Sequence, residues 1–242
     1  MMIGKAERTF GLTNNQLKII AMISMLFDHV GLMLFPQVGA FRIVGRLAFP
    51  IFAYMIAEGC RYTRNRARYL LMIAAMALLF QAVYFVTMQS AGLALYQGIL
   101  VTFSLSIGCI YAIDWHKQKK SELSFIVMLA VLATVFFLAA ILPKKLVWQG
   151  FAIDYGIFGI LLPILVYYAP GKLTKLFSVA FSIVGLALTS GVDIAWYALL
   201  TIPLLALYNG ERGRYKMKYV FYIFYPAHLV LIYAIAFLMA IL

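Results

Sequence analysis

Apolar residues along this chain fall into nine runs, each ended by a polar or basic stretch. The runs are Leu17–Phe35, Ile43–Cys60, Tyr69–Thr87, Gln97–Ile113, Leu123–Leu142, Phe151–Tyr168, Leu173–Thr189, Ile194–Leu207 and Tyr219–Leu242. A helix needs about 20 apolar residues to cross a bilayer. The pattern therefore predicts an all-α polytopic membrane helical bundle of about nine transmembrane helices. The eighth run is short and contains Pro203, which predicts a tilted, kinked or re-entrant segment. The first run follows a polar stretch, Met1–Asn15, and continues through Asp28 and His29 with no small-residue cleavage signal. It reads as a retained helix. No internal repeat and no Pro/Gly/Ser linker divides the chain, so residues 1–242 are expected to form a single domain.

Composition narrows the class. Of the 242 residues, 65% are hydrophobic and 12% charged, with a mean hydropathy of +0.97. Ordinary soluble domains are about 45–50% apolar and about 25% charged. This excludes a water-soluble enzyme or nucleic-acid module, and the hydrophobicity also excludes a disordered chain.

The formal charge is +12, from 20 Lys and Arg against 8 Asp and Glu. Its distribution orients the bundle. One side of the nine runs carries Lys5, Arg8, Lys18, Arg61, Arg64, Arg66, Arg68, Lys117, Lys119, Lys120, Lys172, Lys175, Arg212, Arg214, Lys216 and Lys218; the other carries Arg42, Arg46, Lys144 and Lys145. The positive-inside rule then places the N-terminus in the cytoplasm and, with nine spans, the C-terminus outside. The expected location is the cytoplasmic (inner) membrane, with the lipid bilayer as partner and no nucleic acid. Cys60 and Cys109 both lie in apolar context and form neither a disulfide framework nor a metal motif.

Ionisable residues inside spans are costly and mark functional sites. Asp28 and His29 fall in the outer half of the first span, and Arg42 and Arg46 at the outer start of the second. Asp154 lies at the outer start of the sixth span, Asp193 at the outer start of the eighth, and His228 near the middle of the ninth beside Pro226. A bundle can gather these five helices around one polar cavity. Arg42 and Arg46 share a helix face, and a buried arginine needs a carboxylate, so Asp28 is expected to pair with an arginine. Asp28 and His29 point about 100° apart, so His29 is expected to take its carboxylate from another span, Asp154 or Asp193. The blander roles are interhelical hydrogen bonding for the histidines and helix capping for Asp154 and Asp193. Glu58, at the inner end of the second span, is expected to pair with Arg61 or Lys18. Pro50, Pro163, Pro203 and Pro226 predict bent helices. No metal constellation is evident.

Several stretches resemble the TraX family, named for a conjugation protein that acetylates pilin. They are LKIIAMISMLFDHVG (Leu17–Gly31), RIVGRLAFPIFAYMIAEG (Arg42–Gly59), the arginine-rich YTRNRARYL (Tyr62–Leu70), DYGIFGILL (Asp154–Leu162) and FYPAHL, which contains Tyr225 and His228. That family is similar to the integral-membrane acyltransferases, which move an acyl group from cytoplasmic acyl-CoA to an acceptor at or beyond the outer face. Many of these carry an Arg in the first span eleven positions before a His; here Lys18 stands at that distance from His29. Eleven helical residues rise about 16 Å, near the reach of an extended pantetheine arm.

The resemblance implies a transmembrane O- or N-acetyltransferase with acetyl-CoA as donor. Its acceptor would be a pilin, an envelope glycan or polymer, or a small molecule. His29 would be the general base, oriented by Asp154 or Asp193, with Asp28 holding an arginine. Arg42 or Arg46 would stabilise the oxyanion or bind an anionic acceptor, and His228 would carry a proton or position a group. Lys18, Arg61, Arg64, Arg66 and Arg68 would meet the phosphates of the donor. Direct transfer and an acetyl-histidine route both stay open. The alternative is a small proton-coupled transporter or exporter, which would also use intramembrane His, Asp and Arg but often shows inverted repeats, and none is found.

Overall fold

The computed structural model describes residues 10–87, 95–214 and 218–241. Lys5, Arg8 and Lys216 of the charge pattern lie outside the described residues. In chain order the elements are α1 (Asn14–Met33), α2 (Gly39–Gly45), α3 (Ala48–Tyr62), α4 (Arg66–Thr87), β1 (Tyr96–Gln97), α5 (Ile99–Lys119) and α6 (Glu122–Phe136). A π-helical turn (Phe137–Ile141), α7 (Leu142–Lys145), β2 (Ala152–Ile153), α8 (Gly156–Tyr168) and α9 (Lys172–Ser190) follow. The chain closes with a 3-10 helix (Asp193–Leu200), α10 (Thr201–Ala206) and α11 (Lys218–Ile241).

Each of the nine apolar runs contains helix. Among the described residues, six helical segments are long and apolar enough to cross a membrane, and Gly156–Tyr168, Asp193–Ala206 and Ile223–Met239 are shorter apolar helices. The protein is an all-α polytopic membrane bundle.

Besides the fifth run with its π-helical turn, three runs differ markedly from uniform helices. The second breaks at Arg46–Leu47, between α2 and α3. Pro50 sits in the first turn of α3, where a missing N–H costs no helical bond. The sixth run begins as strand, because β2 pairs in parallel with β1 before α8 starts. Tyr155 (φ 60°) and Gly156 (φ 54°) turn the chain between them. The eighth run starts inside an eight-residue 3-10 helix, Asp193–Leu200, and Pro203 lies within the six-residue α10.

The contacts group into two compact units, Met1–Phe52 with Trp196–Leu242, and Ala53–Ala195. In the first, α1 begins with a reciprocal cap. The Gln16 N–H donates to Thr13 Oγ1 at 3.4 Å, and the Thr13 N–H donates to Gln16 Oε1 at 2.8 Å. Helix α2 packs on α1 through close approaches at Gly31 and Gly45, where a Cβ would collide with Phe41 and with the Asp28 side chain respectively. Helices α1 and α11 touch at two levels. Lys18 Nζ lies 5.0 Å from the Phe221 ring centroid, and the His29 and His228 rings meet 5.0 Å apart. The two contacts occur in the same chain order on both helices, so α1 and α11 run parallel.

In the second unit α5 packs between α4, α6 and α8. Thr102 Oγ1 donates to the Asp154 carbonyl at 2.7 Å and Ser106 Oγ to the Ile160 carbonyl at 3.0 Å, tying α5 to the start of α8. Cys109 lies in an apolar core with Val135, Ala139, Ile153 and Ile160, which gives it a packing role.

Candidate functional site

Within the first unit, α1, α2 and α11 bring together five of the polar residues. Asp28 and His29 come from α1, Arg42 from α2 and Arg46 from its C-cap, and His228 from α11. Asp28 Oδ2 accepts from Arg42 Nη1 at 3.1 Å, and Asp28 Oδ1 accepts from Arg46 Nη2 at 2.5 Å. Arg42 Nη1 also donates to the Asp28 carbonyl at 3.4 Å. One carboxylate therefore clamps both arginines, which share a helix face because they are four apart. Gly45, between them, permits this approach. All three side chains are partly buried, so the pairing offsets desolvation that would otherwise be severe.

The two histidines are held by the same local device. His29 Nδ1 lies 2.9 Å from the Met25 carbonyl, and His228 Nδ1 lies 2.8 Å from the Phe224 carbonyl, each four residues earlier on its own helix. A carbonyl only accepts, so each Nδ1 carries the hydrogen. His228 Nε2 is then a lone pair in the neutral ring, 3.4 Å from His29 Nδ1. His29 Nε2 is left as the basic nitrogen. The field at His29 comes from Asp28, Arg42 and Arg46. Phe224 stacks flat on His228 (4.8 Å, 7°) and Tyr225 meets it edge-on, so the FYPAHL stretch braces its own histidine.

Lys18 lies on the same face of α1 as His29, since eleven residues at about 100° each leave only about 20° between them. Phe221 and His228, seven apart on α11, share a face by the same arithmetic.

Asp154 and Asp193 belong to the second unit. Asp154 Oδ1 accepts from the Tyr96 hydroxyl at 2.7 Å. Gln81 joins the same knot: its Nε2 donates to the Tyr96 carbonyl at 2.6 Å, and its Oε1 accepts from the Gly98 N–H at 3.3 Å. Burial, and then the neighbouring carboxylate, push the Tyr96 hydroxyl far above its ordinary range, so it remains a donor. Asp193 is exposed at the first position of the 3-10 helix and makes no hydrogen bond or ion pair among the described residues.

The arginine-rich stretch divides. Arg66 pairs with Asp114 at 2.8 Å, and that carboxylate also accepts from the Tyr167 and Tyr168 hydroxyls at 2.6 and 2.8 Å. Arg61 donates to the Tyr167 carbonyl at 2.5 Å. Arg64 and Arg68 are exposed. Glu58 pairs with Lys175 at 2.8 Å, which corrects the expectation of Arg61 or Lys18; Arg61 is instead directed to a backbone carbonyl. Sequence reasoning missed Asp114 and its two tyrosines. A lone acid one turn before a basic helix end reads as solvated, and only the packing of α5 on α8 buries it.

Among the described residues no group of three or more His, Cys, Asp or Glu could hold a metal ion. Cys60 is buried beside Tyr111.

The family model described as TraX protein matches residues 13–236. The chain is 27% identical over 242 residues to a probable fimbrial assembly protein, FimC of serogroup H1, from Dichelobacter nodosus, covering 90% of this chain and 93% of the relative. It is 48% identical over 44 residues to an uncharacterized protein of Rickettsia prowazekii (strain Madrid E), covering 17% of this chain and 18% of that one. No solved structure matches.

Proposed function

This chain belongs to the TraX family, and from that membership we propose that it is a membrane-embedded acetyltransferase. In this reading it lies in the cytoplasmic (inner) membrane and serves a hydroxyl or amine acceptor at the outer face. The relative named for fimbrial assembly favours a pilus subunit as acceptor. The observation that carries the reading is the His29–His228 pair beside two arginines clamped on Asp28. It joins a base whose Nε2 keeps its lone pair to positive charge held ready for a developing oxyanion.

The residues fit acetyl-CoA in their chemistry: Lys18 offers a cation and His29 a base on one helix face. Lys18 would hold its phosphates, and when bound it would supply an activated acetyl thioester. The remaining work belongs to side chains. His29 Nε2 takes the proton of the acceptor. Its Nδ1–H stays on the Met25 carbonyl and His228 Nε2, so the tautomer is set locally rather than by Asp154 or Asp193. Arg42 faces the developing negative charge, and Asp28 keeps both guanidiniums from wandering.

The test is calorimetry of acetyl-CoA binding to the full chain in nanodiscs, followed by transfer assays with a pilin peptide. Binding by wild type and by His29→Ala alike, with transfer only by wild type, supports the reading. No binding at millimolar acetyl-CoA overturns it and brings forward the proton-coupled transporter.

A further inference from the structure

Among the described residues, the partly buried cations are matched by anions, with one exception. Arg42 and Arg46 share Asp28, Arg66 pairs with Asp114, and Lys175 pairs with Glu58. Lys18 is half-buried, and no carboxylate pairs with it among the described residues. Its ammonium lies over the Phe221 ring, and the charge acting on it is a second cation, Arg212.

Arg212 is held there by backbone. The Leu12 N–H donates to the Leu207 carbonyl at 2.8 Å, the Asn209 N–H to the Leu12 carbonyl at 3.0 Å, the Asn14 N–H to the Glu211 carbonyl at 2.8 Å and the Asn15 N–H to the Arg212 carbonyl at 3.3 Å. The loop before α11 is thus laced to the foot of α1. Gly213 closes the approach: its φ is +91°, and a Cβ there would lie 3.1 Å from Asn15 and from Thr13 Oγ1. Asn15 and Lys18 are three apart and share a face of α1, so Arg212 is moored one turn below Lys18. The first N–H groups of α1 are occupied by Thr13 Oγ1 and the two loop carbonyls. Any anion here must be held by the two side chains.

Two like charges moored together on a fixed backbone repel unless an anion lies between them. We infer that Lys18 and Arg212 form an anion site at the foot of α1 that takes the diphosphate of the nucleotide donor. The choice of a diphosphate donor rests on the acetyltransferase reading; the anion site itself does not. An arginine supplies the planar fork that a phosphate oxygen pair matches, which Lys18 lacks.

The test is calorimetry of the full chain in nanodiscs of zwitterionic lipid, which excludes anionic headgroups, titrated with CoA and separately with inorganic pyrophosphate. Arg212→Ala and Lys18→Ala are each expected to weaken both ligands about tenfold, the scale of a lost charge-assisted bond. Arg212→Lys, which keeps the charge and loses the fork, should fall between wild type and Arg212→Ala, and Lys119→Ala should match wild type. Should Arg212→Ala fold poorly, Arg212→Gln and a shallower salt dependence give the same readout. Affinity for both ligands within twofold of wild type in Arg212→Ala overturns the inference. Pyrophosphate binding that needs Arg212, without CoA binding, upholds the anion site and removes the acetyl-CoA reading. No binding of either ligand to wild type overturns both.

Discussion

His29 Nδ1 stands 2.9 Å from the Met25 carbonyl and 3.4 Å from His228 Nε2. Its hydrogen therefore points at two acceptors, and the opposite nitrogen is the base. His29→Ala is expected to lower acetyl transfer by roughly 10²- to 10⁴-fold, the range for a general base, with donor binding unchanged. His228→Ala is expected to act more mildly, because the Met25 carbonyl still holds the tautomer. Transfer kinetics on both variants check the ordering, and ¹⁵N chemical shifts of His29 check the Nδ1–H tautomer. Equal losses would place His228 in the chemistry itself.

Asp28 holds two guanidiniums. Asp28→Ala leaves both without their shared carboxylate, and removing one partner of a buried pair costs roughly 3–5 kcal/mol. The variant should unfold at clearly lower temperature in detergent. The triple change Asp28→Asn, Arg42→Gln, Arg46→Gln should recover much of that stability while transfer stays lost. Thermal unfolding of wild type, Asp28→Ala and the triple variant measures the stability, and a transfer assay on the same proteins measures the activity.

Two glycines separate close packing from helix propensity. A Cβ at Gly45 meets the Asp28 side chain, whereas nothing lies within 4 Å of a Cβ at Gly108. Gly45→Ala should therefore destabilise the protein and reduce transfer by displacing Asp28. Gly108→Ala should be neutral or stabilising by about 0.5–1 kcal/mol, since alanine favours helix over glycine. Unfolding temperatures of the two variants decide the point.

Arg66 and Arg68 should behave differently despite their shared stretch. Arg66 is tied to Asp114, which also holds Tyr167 and Tyr168. Arg66→Ala should lower the unfolding temperature, and Asp114→Ala should do so further, with little effect on the turnover of folded molecules. Arg68→Ala should leave stability unchanged, because exposed substitutions outside such networks usually fall within about 0.5 kcal/mol. Unfolding scans paired with active-fraction turnover test this.

The sequence by itself determined the helices, the membrane class and the shared faces. These depend on local quantities: hydropathy over a span, and the helical angle that sets Lys18 under His29 and Arg42 beside Arg46. It also showed that Asp28 needed an arginine, because the second span carried the available pair on one face. Partner choice between distant segments was decided by tertiary structure. Glu58 meets Lys175 across 117 positions, and Asp114 meets Arg66, Tyr167 and Tyr168 only through packing of α4, α5 and α8. The break at Arg46–Leu47 and the strand pairing at Ala152–Ile153 were equally hidden, since a uniform apolar run looks alike whether or not its backbone bends. Arg212 reads in sequence as one more cation of a cytoplasmic loop. Four backbone hydrogen bonds to residues nearly 200 positions earlier moor it beside Lys18, and such bonds depend on where the chain returns, not on which side chains it carries there.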